Sequence, residues 1–454
     1  MDFVKLKETI DSYISVLYPG TTIEMEVDYP EESYSSLLPD GSMLVKGDLS
    51  YKFGYKLTKL QPFSLDDIIL VSSMIEEMNK IEQYKIGDKD YLRVLQFNAM
   101  NKVICKSLSV KSYDVILGII DAMSMYSERT YEGQNISFGF LISENEISDR
   151  HDQNLHFRKF LASPFSSLLS NGRNSFIVLD QDGYILKYLQ LDNIGLSLGL
   201  APYDYSGVLQ ICNLNYIAIT LHEKGEILIY KDNELKYTKK GGIWNSFSHR
   251  EIIKRIHHKS QNDNLLFAKS IYLSSLDVSF TTHGGIICYL NQNEVDRALE
   301  HIDVYDIVNE KYYERKKQLE YQKVTSIEKI NELNEKYLNS YQNLIKSNKM
   351  IKASNVNRII NNRKFFALDR KLREELIEID GATIVDYDGT VIAVGAIIKI
   401  EAGSSGGGRL AATKTLANYG VAINISSDGS VVGYAQHEDG KYRPIFSFSN
   451  YISN

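Results

Sequence analysis

Cysteine is nearly absent from this 454-residue chain: Cys105, Cys212 and Cys288 are the only three, odd in number and far apart. That excludes a disulfide framework and a cysteine-based zinc site, and it predicts small buried thiols in a reducing compartment. Proline is also scarce, at seven, and there is one tryptophan. No apolar run approaches the roughly 18 residues that a membrane span requires; the runs are short, such as Val115-Ile116-Leu117 with Ile119-Ile120. The first residues, Met1-Asp2-Phe3-Val4-Lys5-Leu6-Lys7, contain no apolar signal core, so a cytoplasmic protein with no membrane partner is expected. Positive charge is in deficit: 51 Lys and Arg against 58 Asp and Glu give a net charge of −7. A global basic field for nonspecific nucleic-acid binding is thereby excluded. Local anion sites built from backbone N–H groups are not.

What the chain has is tyrosine, 31 in all, and an ordinary balance of 43% hydrophobic and 24% charged residues. Such a composition and length suit a soluble α/β protein of two or three domains, or of one large α/β domain with an insertion. The expected organisation is an N-terminal α/β region over 1–165, a β-rich region over 166–292, a helical insertion or linker over 293–364, and a C-terminal α/β domain over 365–454. Mixed sheets flanked by helices are expected throughout. Helical periods run from Asp2 to Leu17 and from Leu65 to Ile81, the latter with Ser64 as N-cap and Asp66 and Asp67 in the first turn. Lys102 to Met125 reads as a strand followed by a helix. Ser175 to Leu186 and Tyr216 to Tyr230 read as hairpins around Asp182-Gly183 and Lys224-Gly225. The polar stretch from 293 to about 378 reads as helices, either a solvated connector or a pairing surface for a homodimer.

Two hairpins echo each other. Ile177-Val178-Leu179-Asp180-Gln181-Asp182-Gly183 parallels Thr383-Ile384-Val385-Asp386-Tyr387-Asp388-Gly389, and Tyr216-Ile217-Ala218-Ile219 parallels Gly420-Val421-Ala422-Ile423. In that register Asn174-Ser175 falls where Asp380-Gly381 stands. Duplication and coincidence are both open, because Asp-Gly hairpins are common.

One pair of segments speaks of chemistry. Asp380-Gly381-Ala382 opens an apolar strand; the carboxylate can meet a divalent metal or a ribose hydroxyl, and Gly381 admits a ligand close to the backbone. Downstream, Gly406-Gly407-Gly408-Arg409 runs into a helix from Leu410 to Tyr419. That arrangement presents backbone N–H groups, a helix N-terminus and one guanidinium to an anion. It lacks the Gly-Lys-Ser/Thr of a Walker loop. His151 and His156, spaced five apart, read as surface loop; His257-His258 as a solvated helix face; and Trp244 as a core or lid residue.

Together the two motifs resemble the diadenylate cyclase (DAC) family over roughly 365–440. That family carries Asp-Gly-Ala and Gly-Thr-Arg-His-Arg. Here Asp380, Gly381, Ala382 and Gly406 match, while Gly408, Arg409 and Leu410 stand at the Arg, His and Arg positions. The pattern is similar to the noncatalytic sensor branch of the family, found in bacterial signalling or conflict systems, with 166–292 as a degenerate repeat. The resemblance implies a nucleotide or cyclic-nucleotide sensor that binds through Asp380, Gly381, Ala382, Gly406, Gly407, Gly408 and Arg409. Mg²⁺ or Mn²⁺, held by Asp380, enters only if a nucleoside triphosphate binds. The alternatives are an active cyclase making cyclic di-AMP with Asp380 catalytic, and a helical-dimer interaction protein with an inert DAC-like fold. The effector partner is not identified.

Overall fold

A computed structural model describes the chain except residues 28–32, 85, 146–154, 164–168, 192–198, 213–214, 261–263, 282, 325, 344–347, 401–406 and 450–454. The fold is α/β, with mixed and antiparallel sheets flanked by helices. The chain divides into two compact units, Met1–His249 and Arg250–Asn454.

Unit 1 begins with a helical segment, α1 (Phe3–Thr9), a π-helical turn (Ile10–Ile14) and α2 (Ser15–Leu17). An antiparallel sheet follows, formed by β1 (Thr22–Val27), β2 (Ser35–Leu37), β3 (Met43–Val45) and β4 (Phe53–Thr58) in the order β1-β4-β3-β2. Then come α3 (Leu65–Gln83), α4 (Lys89–Leu108) and α5 (Tyr113–Tyr126). Ser64 caps α3 as expected and forms a full capping box with Asp67, which satisfies two of the free N–H groups at the helix start. The strand expected after Lys102 is instead the last turns of α4. Val103, Ile104 and Cys105 are buried there on a helix of 20 residues; a short apolar run does not by itself distinguish strand from buried helix.

A minor ribbon, β5 (Thr130–Tyr131) with β6 (Gln134–Asn135), precedes the main sheet of unit 1. That sheet contains β7 (Phe138–Ser143), β8 (Ser175–Leu179), β9 (Ile185–Gln190), β10 (Tyr216–Leu221), β11 (Ile227–Lys231), β12 (Glu234–Lys240) and β13 (Ile243–Ser246). Its order is β13-β12-β11-β10-β7-β8-β9. Between strands lie α6 (Phe157–Leu161) and α7 (Ser206–Cys212). Trp244 belongs to the core: it is buried, with its indole N–H donating to Asn101 Oδ1 at 2.8 Å.

Unit 2 contains α8 (His249–Ser260), whose first residue ends unit 1, then α9 (Leu265–Phe280), β14 (Gly285–Leu290), α10 (Val295–Glu300), α11 (Glu310–Gln322), α12 (Ile327–Asn343), α13 (Asn348–Ile360) and α14 (Arg370–Glu378). It ends with β15 (Ala382–Val385), β16 (Val391–Ala396), α15 (Gly407–Leu416), β17 (Gly420–Ile425), β18 (Ser430–Gln436) and β19 (Tyr442–Ser449). The sheet order is β16-β15-β14-β17-β18-β19. Residues 365–454 therefore do not close a sheet alone. Their central strand, β14, comes from 285–290 and lies parallel to β15 and antiparallel to β17. One face of this sheet packs Ile286, Cys288, Ala382, Ile384 and Ala422 with Ala412 and Leu416 of α15. On the other face, Thr383 donates to the Leu376 carbonyl of α14 at 2.7 Å. Helices α10 to α14 account for most of the described residues of 293–378, as expected, and α11 packs on both α10 and α12.

The echo in the sequence is an echo in topology. In unit 1, β7 runs parallel to β8 and antiparallel to β10, β9 flanks β8, and β11 and β12 extend from β10. β14 to β19 repeat this order, with β13 an addition in unit 1. The registers agree as well. Leu141 pairs with both Val178 and Ala218, as Cys288 does with both Ile384 and Ala422. Asp180 Oδ1 accepts from the N–H groups of Asp182 and Tyr184, and Asp386 Oδ1 from those of Asp388 and Thr390. Gly183 and Gly389 close the two turns at φ +87° and +89°, a conformation that glycine adopts without strain.

Candidate functional site

The candidate site lies at the end of the unit 2 sheet where β14 and β15 begin. Ile286 pairs with Ala382 in the parallel register, which places Gly284 level with Asp380, on strands about 4.8 Å apart. β17 is antiparallel to β14, so its final residue, Ile425, lies opposite Gly285. The first turn of α15 comes to the same end, because the Arg409 guanidinium lies against Gly284. Asp380 and Arg409 are thus brought to one edge, although 29 residues separate them in the chain.

Backbone geometry explains the glycines. Gly381 has φ +109°, and a Cβ there would come within 2.6 Å of the Gly395 carbonyl oxygen. Only glycine allows the chain to turn into β15 against β16 at this point. At Gly284 a Cβ would stand 2.6 Å from the Ile425 carbonyl oxygen and closer still to Arg409 Nη1. Gly407 and Gly408 are different: both are exposed, and open space surrounds each Cα. The first turn of α15 is thus exposed among the described residues, with the positive end of the helix dipole behind it.

Asp380 and Arg409 are exposed. Among the described residues neither side chain has a hydrogen bond or ion pair. Ala382 is buried in the core beneath α15. Gly406, expected to bind, lies outside the described residues, as does His151. His156 caps α6, its Nδ1 accepting from the Arg158 N–H at 3.3 Å. His257 and His258 lie in the last turn of α8.

One residue at this end was not singled out by its sequence. Asn424 pairs with Ile286 on the α15 side of the sheet, next to Ala422 of that core. Its Oδ1 is buried without a hydrogen-bond partner among the described residues, a costly arrangement for a polar atom. In the sequence it reads as one polar residue inside a strand, and only burial distinguishes it.

The same end of unit 1 is filled. Matching β10 to β17, and residues 203–212 to α15, puts Tyr205 at the place of Arg409, Asp204 at Gly408, Thr220 at Asn424 and Glu223 at Ser427. Arg173 stacks on the Tyr205 ring, 6.0 Å from its centroid, and pairs with Glu223 at 3.3 Å and Asp204 at 3.8 Å. Thr220 donates to the Gly172 carbonyl at 3.0 Å. Burial, reinforced by Arg173, lowers the pKa of neighbouring His222 to about 3 and keeps it neutral. Charge and space at this end of unit 1 are satisfied internally. In unit 2 the corresponding Gly408 and Arg409 are exposed.

Among the described residues there is no cluster of three or more His, Cys, Asp or Glu side chains fit to hold a metal. All three cysteines are free and buried, and among the described residues no helix is long and apolar enough to cross a membrane. No family model, curated protein or solved structure matches the chain.

Proposed function

We propose that the chain is a nucleotide-binding sensor whose ligand sits in unit 2, between Asp380 and the first turn of α15. The observation that carries this reading is the contrast between the two copies of the fold. Among the described residues the Arg409 side chain has no hydrogen bond or ion pair and Gly407 and Gly408 are exposed, whereas Arg173, Asp204 and Glu223 neutralise one another at the matching place in unit 1. One guanidinium and one helix N-terminus suit a single phosphodiester. Asp380 accepts from a ribose hydroxyl, and the unpaired Asn424 Oδ1 takes a donor from the sugar or base. The favoured ligand class is accordingly a cyclic di- or oligonucleotide.

A triphosphate is matched less well, because Gly408 and Leu410 supply no further cations. Cyclase activity would need that charge to stabilise the transferring phosphoryl group. Asp380 can share a divalent ion that arrives on a triphosphate, but it is a single carboxylate.

The test is calorimetric titration of the full chain with cyclic dinucleotides, linear dinucleotides and ATP with Mg²⁺ or Mn²⁺. Binding of a cyclic dinucleotide, weakened by both Arg409→Ala and Asp380→Asn, supports the reading. Absence of binding to the whole panel overturns it. Cyclic di-AMP formed from ATP, and lost with Asp380→Asn, replaces it with the cyclase.

A further inference from the structure

Apart from the site above, unit 2 contains an open cavity of about 620 Å³ lined by α11, α12, α13 and the turn before α11. This is within the range of small-molecule sites, roughly 300–1,000 Å³. We propose that it binds an uncharged, flat heteroaromatic molecule, a purine nucleoside in size and chemistry.

The walls carry the inference. One face of α11 lines the cavity with Tyr313, Lys317 and Tyr321, and α12 adds Asn334 and Tyr337. Tyr337 forms a corner with both other rings: Tyr321 stacks on it at 6.0 Å and 29°, and Tyr313 meets it edge-on at 5.9 Å and 85°. The rings are held in place before any ligand arrives. Tyr321 donates to Asn334 Oδ1 at 2.6 Å, and Tyr337 to Glu320 at 2.8 Å. Burial, with the Glu320 bond, raises the Tyr337 phenol far above its usual range, so it remains a neutral donor. A fixed corner of aromatic faces is a stacking surface for a planar ring.

Polar groups for the edge of such a ring are also present. The Asn334 amide nitrogen keeps its donors, and Asn357 of α13 lines the cavity with a side chain that has no hydrogen-bond partner among the described residues. An amide offers a donor and an acceptor side by side, matching the edge of a purine. The charges argue against phosphate. Among the described residues Glu310 and Glu314 line the cavity beside one cation, Lys317, which sits 4.0 Å from Glu314. A net negative wall repels a phosphorylated ligand and a nucleic-acid strand alike.

The proposal stands apart from the α15 end and is tested apart from it. Adenosine and guanosine are titrated into the full chain, read by calorimetry and by saturation-transfer NMR. Saturable binding is expected, with transfer to the purine ring protons. Tyr313→Leu and Asn357→Leu should each weaken it about tenfold; Asn357→Leu should leave the thermal midpoint of the free protein in place, and it guards against loss of folding in Tyr313→Leu, whose ring also packs on the core. AMP should bind more weakly than adenosine. The idea is overturned by no saturable nucleoside binding, by binding indifferent to both wall variants, or by AMP and adenosine binding equally. It is also overturned if binding is lost with Arg409→Ala, which would place the nucleoside at α15, or if single-stranded RNA binds there more tightly than adenosine.

Discussion

Arg409 lies across the Cα of Gly284, so that any side chain at 284 would meet its guanidinium and, at 2.6 Å, the Ile425 carbonyl oxygen. The two residues are 125 positions apart, and their contact is what brings the cation to the end of β14. Gly284→Ala should displace Arg409 and strain the β14–β17 edge, at about 1–3 kcal/mol. Arg409→Ala, on an exposed residue, should leave stability within about 0.5 kcal/mol and weaken nucleotide binding by about tenfold or more. Urea denaturation beside calorimetric titration separates the two effects. Equal stability losses from both substitutions would contradict this account.

Gly381→Ala should destabilise unit 2 by about 2 kcal/mol or more. The position holds φ +109°, and the Gly395 backbone blocks a Cβ; backbone strain of this kind costs about 1–3 kcal/mol before any clash. The equivalent position in unit 1 is Ser175, already the first residue of β8, so Ser175→Ala should bring no backbone strain and lose only the bond its hydroxyl accepts from the Asn171 N–H at 2.9 Å, about 1 kcal/mol. Thermal unfolding of the two variants provides the comparison.

Asp277 of α9 and Arg370 of α14 form a buried bidentate pair, with bonds of 2.6 and 2.7 Å. Arg373, also buried, has its pKa lowered to about 10 by burial, with Asp277 opposing the shift. Asp277→Asn removes the carboxylate that is paired with Arg370 and that opposes the shift at Arg373, and a loss of about 3–5 kcal/mol is expected. The midpoint in urea measures it; a shift equivalent to under about 1 kcal/mol would mean that water reaches the pair.

Asp386 predicts a pH dependence. Burial raises its pKa to about 6, and neighbouring Asp388 adds to the rise. Tyr312 of α11 donates to its second oxygen. Between about 4, the unfolded value, and 6 the folded chain binds the proton more tightly than the unfolded chain. The contribution of this group is present below the lower value and is lost as pH rises through 6. Asp388 is lowered, by its bonds to Asp386, Lys364 and Thr390 acting against burial, so its contribution runs the other way and is lost only in strong acid. Asp386→Asn keeps the turn and removes the proton. Unfolding midpoints from pH 4 to 7 should fall less with pH in the variant than in the parent, and an unchanged profile would refute the assignment.

Local signals were the legible ones. Asp182-Gly183 and Lys224-Gly225 marked true hairpins, and Ser64 a true cap, because turns and caps are decided by a few adjacent residues. Residues 103–105 were not legible, since burial on α4 and burial in a strand leave the same apolar run. Nor was the division of the chain at 249. The parallel pairing of β14 with β15 spans nearly a hundred residues, and nothing in either strand names its partner.

By itself the sequence determined the repeated Asp-Gly hairpins, the intact Asp380-Gly381-Ala382 and the single cation at 409, since these are matters of residue type and short spacing. Tertiary structure alone decided that Asp380, Asn424 and Arg409 share one end of one sheet, and that Arg173 fills the same end of unit 1. The physical reason is that strand register and burial belong to partners far apart in the chain. Whether a charge stands free or is neutralised depends on those partners more than on its own neighbours.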